Sequence, residues 1–438
     1  MTRWILLGLL AAMLIADNRA HAQSVEQWYE AHCEAGYDLY KWLHANPELS
    51  FEEEQTAAKL AALWRDAGYE VTTGIGGHGI VGILRNGDGP VLMLRTDLDA
   101  LPVTEQTPLE FASQKTTTLA GGGQSGIMHA CGHDLHMTNL TMTAQYLAAN
   151  PSRWSGTLML VGQPAEERGA GAKAMLEDGL FERFPKPDYA VALHVESSTP
   201  AGSVRIRSGF VLANVDSVDI TVKGRGGHGA TPHDTIDPIT QAAELVMSLQ
   251  LIVSREVKPI EPAVVTVGSI QGGTKHNIIG NECKLQITVR SYSDEVRQQV
   301  LDAIRRRALA IAEANRAPAP EVRISEGTPS LENDAELAAR LATVFRKTLG
   351  EDHVLEAEPA MGGEDFSRYG RAGVPIVMYR LGTIRPQRLE RFAELGVRPP
   401  SLHSSSFYPD LEPTLSTGVR SLTAAALDLL SREADRKE

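Results

Sequence analysis

Apolar positions recur at helical spacing over residues 24–46 and 53–67, and Gly68 closes the second stretch as a C-cap residue. The pattern then shortens to two brief apolar runs, 81–85 and 91–95. They flank Asn86-Gly87-Asp88-Gly89, an arrangement that predicts a β-hairpin. Strands and helices alternate from there. Leu140, Ala144 and Leu147 share a helical face; residues 157–161 read as a buried strand, 171–184 as a helix and 190–193 as a strand. Alternation of this kind predicts an α/β sheet domain.

Near Val211 the order changes to strand 217–222, helix 238–253, strands 263–270 and 282–291, helix 294–315 and strand 321–325. This βαββαβ series predicts a ferredoxin-like unit. After Gly327 the α/β style resumes with a helix from Asp334, a strand over 374–379 and a last helix near Leu415. The expected organisation is a catalytic domain in two segments, 23–212 and 328–438, interrupted by a lid over 213–327.

The first residues follow another logic. Arg3 precedes an apolar run from Trp4 to Ala16, and Ala20-His21-Ala22 is a small-x-small triplet, so residues 1–22 read as a signal peptide cleaved before Gln23. The run is shorter than the ~20 residues a bilayer span needs. An exported, periplasmic or secreted protein without a membrane anchor after cleavage is expected.

Composition narrows the partners. The 438 residues carry a formal net charge of −13. This argues against nucleic acid and anionic membrane surfaces and for small-molecule or peptide substrates. Three cysteines exclude a disulfide framework. Cys33 and Cys283 read as separate thiols, with a pairing left open, while Cys131 has His133 for company.

The strand at 157–161 runs into Glu166-Glu167, adjacent carboxylates that repel unless a cation lies beside them. Asp97 and Asp99 follow the strand at 91–95, His194 closes another, and His403 lies in a loop downstream of 374–379. Ligands in open α/β sheets bind beyond such strand ends. Cys131 and His133, two apart, share one face of an extended segment and are expected to chelate from a loop. The set predicts a dinuclear metallohydrolase, in which one glutamate binds metal and the other moves protons; chain position does not say which.

The segments MHACGHDLHMTNL, RTDLDALPVTE, GQPAEERGAGAKAMLEDGLFE, GRGGHGATPH and MGGEDFS resemble the metallo-amidohydrolase family of hippurate hydrolase, N-acyl-amino-acid hydrolases and auxin-conjugate hydrolases, within the aminoacylase and carboxypeptidase clan. The resemblance runs from about Trp42 to the C-terminus. It implies an α/β catalytic domain with a ferredoxin-like lid that mediates homodimerisation, and two divalent ions per subunit, zinc or manganese with cobalt or nickel admitted. It makes Cys131, His133, Glu167, His194 and His403 the ligands, Glu166 the acid/base and Asp99 the group orienting a ligand. His228 would reach a catalytic site, its own or the partner's, and stabilise the oxyanion. Asn277 matches the lid asparagine of the family, although Gly280 stands where relatives have proline, and Leu135 where they usually have glycine. Arg290 reads equally as a clamp for a substrate carboxylate and as a salt-bridge residue. Asp97 is a weaker ligand candidate, Asp134 and Glu364 are supporting groups, and His44 reads as structural or solvated. The implied reaction is cleavage of N-acyl or N-aroyl amino acids to a carboxylate and an amino acid, with a metallopeptidase for small peptides as the alternative. A binding protein with a decayed site is disfavoured because every ligand position is intact.

Overall fold

The computed structural model describes residues 23–431, so the expected signal peptide lies outside the described residues. The elements used below are, in chain order, α1 (Val25–Ala45), α2 (Glu54–Asp66), β1 (Glu70–Ile75), β2 (Gly79–Asn86), β3 (Val91–Asp97), α3 (His133–Ala149), β4 (Gly156–Gln163), α4 (Gly171–Glu177), α5 (Leu180–Arg183), β5 (Tyr189–Pro200) and β6 (Val204–Ile206). They continue with β7 (Asn214–Lys223), α6 (Pro238–Leu251), β8 (Ala263–Gly272), β9 (Glu282–Ser291), α7 (Asp294–Ala314), β10 (Glu321–Glu326), α8 (Ala335–Leu349), β11 (Val354–Glu356), β12 (Ile376–Ile384) and the C-terminal helix α9 (Leu411–Leu429). The chain divides into two units, one of residues 23–209, 333–358 and 369–431, the other of 210–332 and 359–368.

The first unit is built on an eight-stranded sheet in the order β1-β2-β4-β3-β5-β12-β6-β11. Ser24 starts α1 with a capping box, its side chain accepting from the Gln27 N–H. The apolar faces of α1, α2, α3, α8 and α9 meet Leu92, Leu94, Leu158, Leu160, Val191, Leu193, Val377 and Tyr379 in one core. Each fully buried aliphatic side chain there contributes roughly 1.5–3 kcal/mol. α3 is buried along nearly its whole length, and two of its polar side chains bond back to its own backbone: Thr138 Oγ1 donates to Asp134 O at 2.7 Å and Asn139 Nδ2 to Leu135 O at 2.8 Å.

Expectations for individual elements are corrected at three points in this unit. β2 and β3 do not form a hairpin: β4 lies between them, antiparallel to β2 and parallel to β3. Gly89 of Asn86-Gly87-Asp88-Gly89 serves close approach, since a Cβ there would lie 2.9 Å from Gly156 Cα, and Thr157 N–H donates to Pro90 O at 2.9 Å. The helix expected over 171–184 is broken into α4 and α5 because Gly179 takes φ 81°, a left-handed conformation. His133 does not sit in a loop; it is the first residue of α3, and only Cys131 precedes the helix.

The second unit pairs its strands β8-β9-β7-β10, all antiparallel, with α6 and α7 packed through Ala242, Leu245, Leu249, Val300 and Ile304 onto Val218, Ile220, Leu285 and Ile287. This is the ferredoxin-like arrangement. Arg297 forms a two-armed ion pair with buried Asp216, at 2.6 and 2.7 Å. Residues 359–368, which the pattern assigned to the sheet domain, join this unit because Ala360 N–H donates to Val211 O at 2.9 Å and Ala213 N–H to Gly362 O at 3.0 Å. Cys33, Cys131 and Cys283 are all free thiols, so Cys33 and Cys283 do not pair. Among the described residues no helix is long and apolar enough to cross a membrane.

Candidate metal centre

The turn 129–132 delivers Cys131 to the mouth of the sheet. Gly132 makes this possible: its φ is 77°, and a Cβ there would meet Val195 Cγ2 at 2.6 Å. His133 follows as the first residue of α3. Its Nδ1 donates to the Asp99 backbone carbonyl at 2.9 Å, which leaves Nε2 facing the site. His194 does not close its strand as expected: β5 runs on to Pro200, and His194, near its middle, is oriented the same way, with Nδ1 donating to Val195 O at 2.8 Å.

Cys131 Sγ lies 3.6 Å from His194 Nε2 and 3.2 Å from His403 Nε2. Glu167 Oε1 lies 3.8 Å from His133 Nε2 and 3.5 Å from His403 Nε2. Two triads of potential ligand atoms result, Cys131-His133-His194 and Cys131-Glu167-His403, each with its atoms within 4.8 Å of one another and sharing the thiol. Glu166 joins a third group with His133 and Glu167, its Oε2 3.9 Å from His133 Nε2. His403 is the exposed member, with φ 65°, while the others are buried or nearly so.

The electrostatics are those of a site with excess negative charge. Burial, and then the Glu167 carboxylate, pushes the Cys131 thiol well above its usual range. Burial also pushes Glu167 up, to about 7. His133 runs the other way: burial alone would lower it, but Asp97 and Asp99 hold it well above the ordinary histidine value. His133 Nε2, Glu167 Oε1 and Asp99 Oδ1 are buried without a hydrogen-bond partner. Donor atoms buried, unsatisfied and convergent fit a divalent cation, whose charge would free the thiolate and carboxylate of their protons.

The supporting groups are ordered. Asp99 Oδ2 accepts the Glu167 N–H at 3.0 Å and the Ser50 hydroxyl at 2.6 Å. Asp97 is engaged on both oxygens, by Arg95 Nη1 at 2.9 Å and by His136 Nδ1 at 2.8 Å. It also stands 3.6 Å from His133 Nε2, so the group Asp97-His133-His136 has ligand-like spacing, yet Asp97's own bonds are those of a salt-bridged strand-end aspartate. His136 Nε2 accepts the Val195 N–H at 2.9 Å and so ties α3 to β5.

The remaining expected site residues lie in the second unit. His228 is exposed and its short strand pairs with Ile278, while Gly229 N–H donates to Asn277 O at 2.9 Å, so the fold brings these two motifs together. His228 Nδ1 accepts from Ala230 N–H at 3.0 Å. Arg290 is half-buried on β9, and Nη1 donates to Met361 O at 2.9 Å rather than to a carboxylate.

Sequence reasoning missed Glu53 and the pair His44 and Glu105. Glu53 lies fully buried where the run Glu52-Glu53-Glu54 read as a helix start. His44 is also buried, with Nδ1 2.7 Å from Asp134 Oδ2 and Nε2 2.9 Å from Glu105 Oε1. Nothing in local spacing marks either role, since their partners are 90 and 61 residues away for His44.

Residues 93–393 match the profile of the peptidase family M20/M25/M40. The chain is 36% identical to thermostable carboxypeptidase 2 of Saccharolobus solfataricus over 410 residues, 92% of this chain and 96% of that protein. It is 39% identical to hippurate hydrolase of Campylobacter jejuni over 331 residues, 74% and 82% of the two chains. Among solved structures, a dinuclear metal binding peptidase of the M20 family from Bacillus subtilis superposes with a TM-score of 0.75 at 29% identity, covering 92% of this chain and 99% of that one.

Proposed function

The chain belongs to the peptidase family M20/M25/M40 and is a metal-dependent hydrolase of amide bonds, and we propose that its substrates are N-acyl or N-aroyl amino acids of the hippurate kind. The observation that carries this reading is the pair of ligand triads sharing Cys131, with the Glu166 carboxylate beside them. Cys131, His133, Glu167, His194 and His403 would hold the cations; thiolate and imidazole favour zinc, and the carboxylate admits manganese, cobalt or nickel. Bound there, two divalent ions supply Lewis-acid polarisation of the scissile carbonyl and acidify the attacking water.

The chain's own groups do the rest. Glu166 takes the proton of the attacking water and passes it to the departing amine, the role open to a carboxylate that is not itself committed to a cation. Asp99 orients His133 through its backbone carbonyl and holds the Glu167 N–H, so both neighbours of the reacting carbonyl stay in register. His228 and Asn277 provide donors for the developing oxyanion, from the same or a partner subunit, and Arg290 contributes to substrate binding. Homodimerisation through the lid is supported by the unpaired edge strand β8 and the exposed Met247, Leu251 and Ile270. Export by the segment 1–22 would give a mature protein beginning at Gln23, which mass spectrometry of the exported protein checks.

A second reading, hydrolysis of short peptides, is supported by the long match to the carboxypeptidase. A panel of N-benzoyl, N-acetyl and long-chain acyl amino acids against dipeptides, assayed with Zn²⁺ and Mn²⁺, separates the two. Turnover of peptides with free amino termini alone would reject the N-acyl reading.

A further inference from the structure

On β12, Arg380 stands opposite His194 of the parallel neighbour β5. Val377, Tyr379 and Leu381 of β12, and Leu193 and Val195 of β5, enter the helix-covered core. Alternation along the strands therefore puts Arg380 and His194 side by side on the other face of the sheet. On its far side Arg380 pairs in register with Arg205 of β6. Arg205 is engaged: Nε donates to Thr199 Oγ1 at 2.7 Å and lies 3.5 Å from Glu196 Oε2, and Nη1 donates to Glu356 O at 3.0 Å. Arg380 has none of this. Among the described residues its half-buried guanidinium makes no hydrogen bond and has no carboxylate within ion-pair distance.

Glu196 is taken by Arg205, so Arg380 is left without a protein anion on the sheet face that carries His194. A half-exposed guanidinium without a protein anion, beside another arginine and on the face that carries His194, offers its donors to an anion that enters the site.

We propose that Arg380 is a specificity-determining residue that binds the α-carboxylate of the amino-acid half of the substrate. This rests on the N-acyl amino acid reading above. The planar fork matches a carboxylate with two parallel N–H donors, and it would hold the substrate so that its amide, one carbon away, meets the cations and Glu166. No bond is made or broken by Arg380; its contribution is to favour substrates that carry the anion.

The test compares N-benzoylglycine with N-benzoylglycinamide in the metal-loaded full chain, for the parent, Arg380→Gln and Arg380→Lys. The parent is expected to prefer the acid in kcat/KM. Arg380→Gln should collapse that acid-to-amide ratio by about 30-fold, chiefly through KM for the acid, with Arg380→Lys recovering part of it. Calorimetric binding of N-benzoylglycine to the parent and to Arg380→Gln gives a reading independent of turnover, and thermal unfolding checks that the variant is folded. A parent indifferent to the carboxylate in both rate and binding, or a variant in which acid and amide fall by the same factor, overturns the proposal. A parent that binds the acid through Arg380 but hydrolyses neither compound would instead reject the proposed reaction and leave the Arg380 site standing.

Discussion

Glu53 Oε1 accepts the backbone N–H of Ala165 at 2.8 Å, although the two residues are 112 apart in the chain. The same oxygen accepts the Phe51 N–H at 2.9 Å. Ala165 is held with φ 50°, a left-handed conformation that costs a non-glycine residue of order 1 kcal/mol, and it is the residue that aims Glu166. A buried carboxylate thus fixes the turn from which the proposed proton shuttle projects.

Replacing Glu53 by alanine is expected to lower kcat by roughly 10-fold or more with little change in KM, and to cost about 1–3 kcal/mol of stability from the N–H groups left unpaired. Burial pushes the Glu53 pKa up to about 7 from 4.5. A raised folded value means that the folded state holds the proton more tightly. The associated stability is fully present below about pH 4.5 and lost as pH rises through about 7. Urea unfolding of parent and Glu53→Gln between those limits should show the parent losing stability faster with rising pH; parallel curves would refute it.

Glu166 and Glu167 should separate by metal content. Glu166→Ala is expected to lose about 10²–10⁴-fold in kcat while binding its metal, since general acid–base catalysis contributes on that scale. Glu167→Ala should lose metal as well as activity. Atomic emission on the purified variants decides, and a Glu166→Ala protein that hydrolyses as fast as the parent removes it from the mechanism.

His44 is expected to act as a buried cation between Glu105 and Asp134. Burial would lower its pKa, but the two carboxylates raise it to about 9. Its stabilisation is therefore fully present below about pH 6.5 and lost as pH rises through about 9. His44→Gln should be destabilised by about 3–5 kcal/mol near pH 6, the scale of a broken buried pair, with the gap closing on the alkaline side. Denaturant titrations at pH 6 and pH 10 measure the difference; an equal gap at both would show that His44 is not charged.

Chelation should lower the melting temperature, because an ion bound by the native state alone stabilises it. Cys131→Ser should weaken metal binding at both triads, since they share the thiol. Peroxide should inactivate the chelated protein faster than the metal-loaded one, because a ligated thiolate is shielded from oxidation. Full activity and metal content in Cys131→Ser would sink the shared-ligand role.

The lid's strand and helix order was readable because each element shows its own period and α6 and α7 carry apolar stripes at helical spacing. The ligand types were readable for a similar reason: a Glu-Glu pair and a Cys-x-His segment are local facts, whereas His194 lies inside β5 and not at its end. The hairpin was misread because Asn-Gly-Asp-Gly reports a change of direction and says nothing about which strand fills the gap. β4, more than 60 residues later, fills it through its own apolar edge. His44, expected to be structural or solvated, is structural, but its charge was not legible because it depends on carboxylates that only the folded chain brings near.

By itself the sequence determined element type, the insertion of one βαββαβ unit in another sheet, and the donor atoms offered to a cation, since these follow from period and residue chemistry. Tertiary structure decided the strand order, the sharing of Cys131 between two triads, the hold of Glu53 on the turn before Glu166 and the isolation of Arg380 beside His194. These depend on distances between residues far apart in the chain, and on burial, which sets the cost of every unpaired charge.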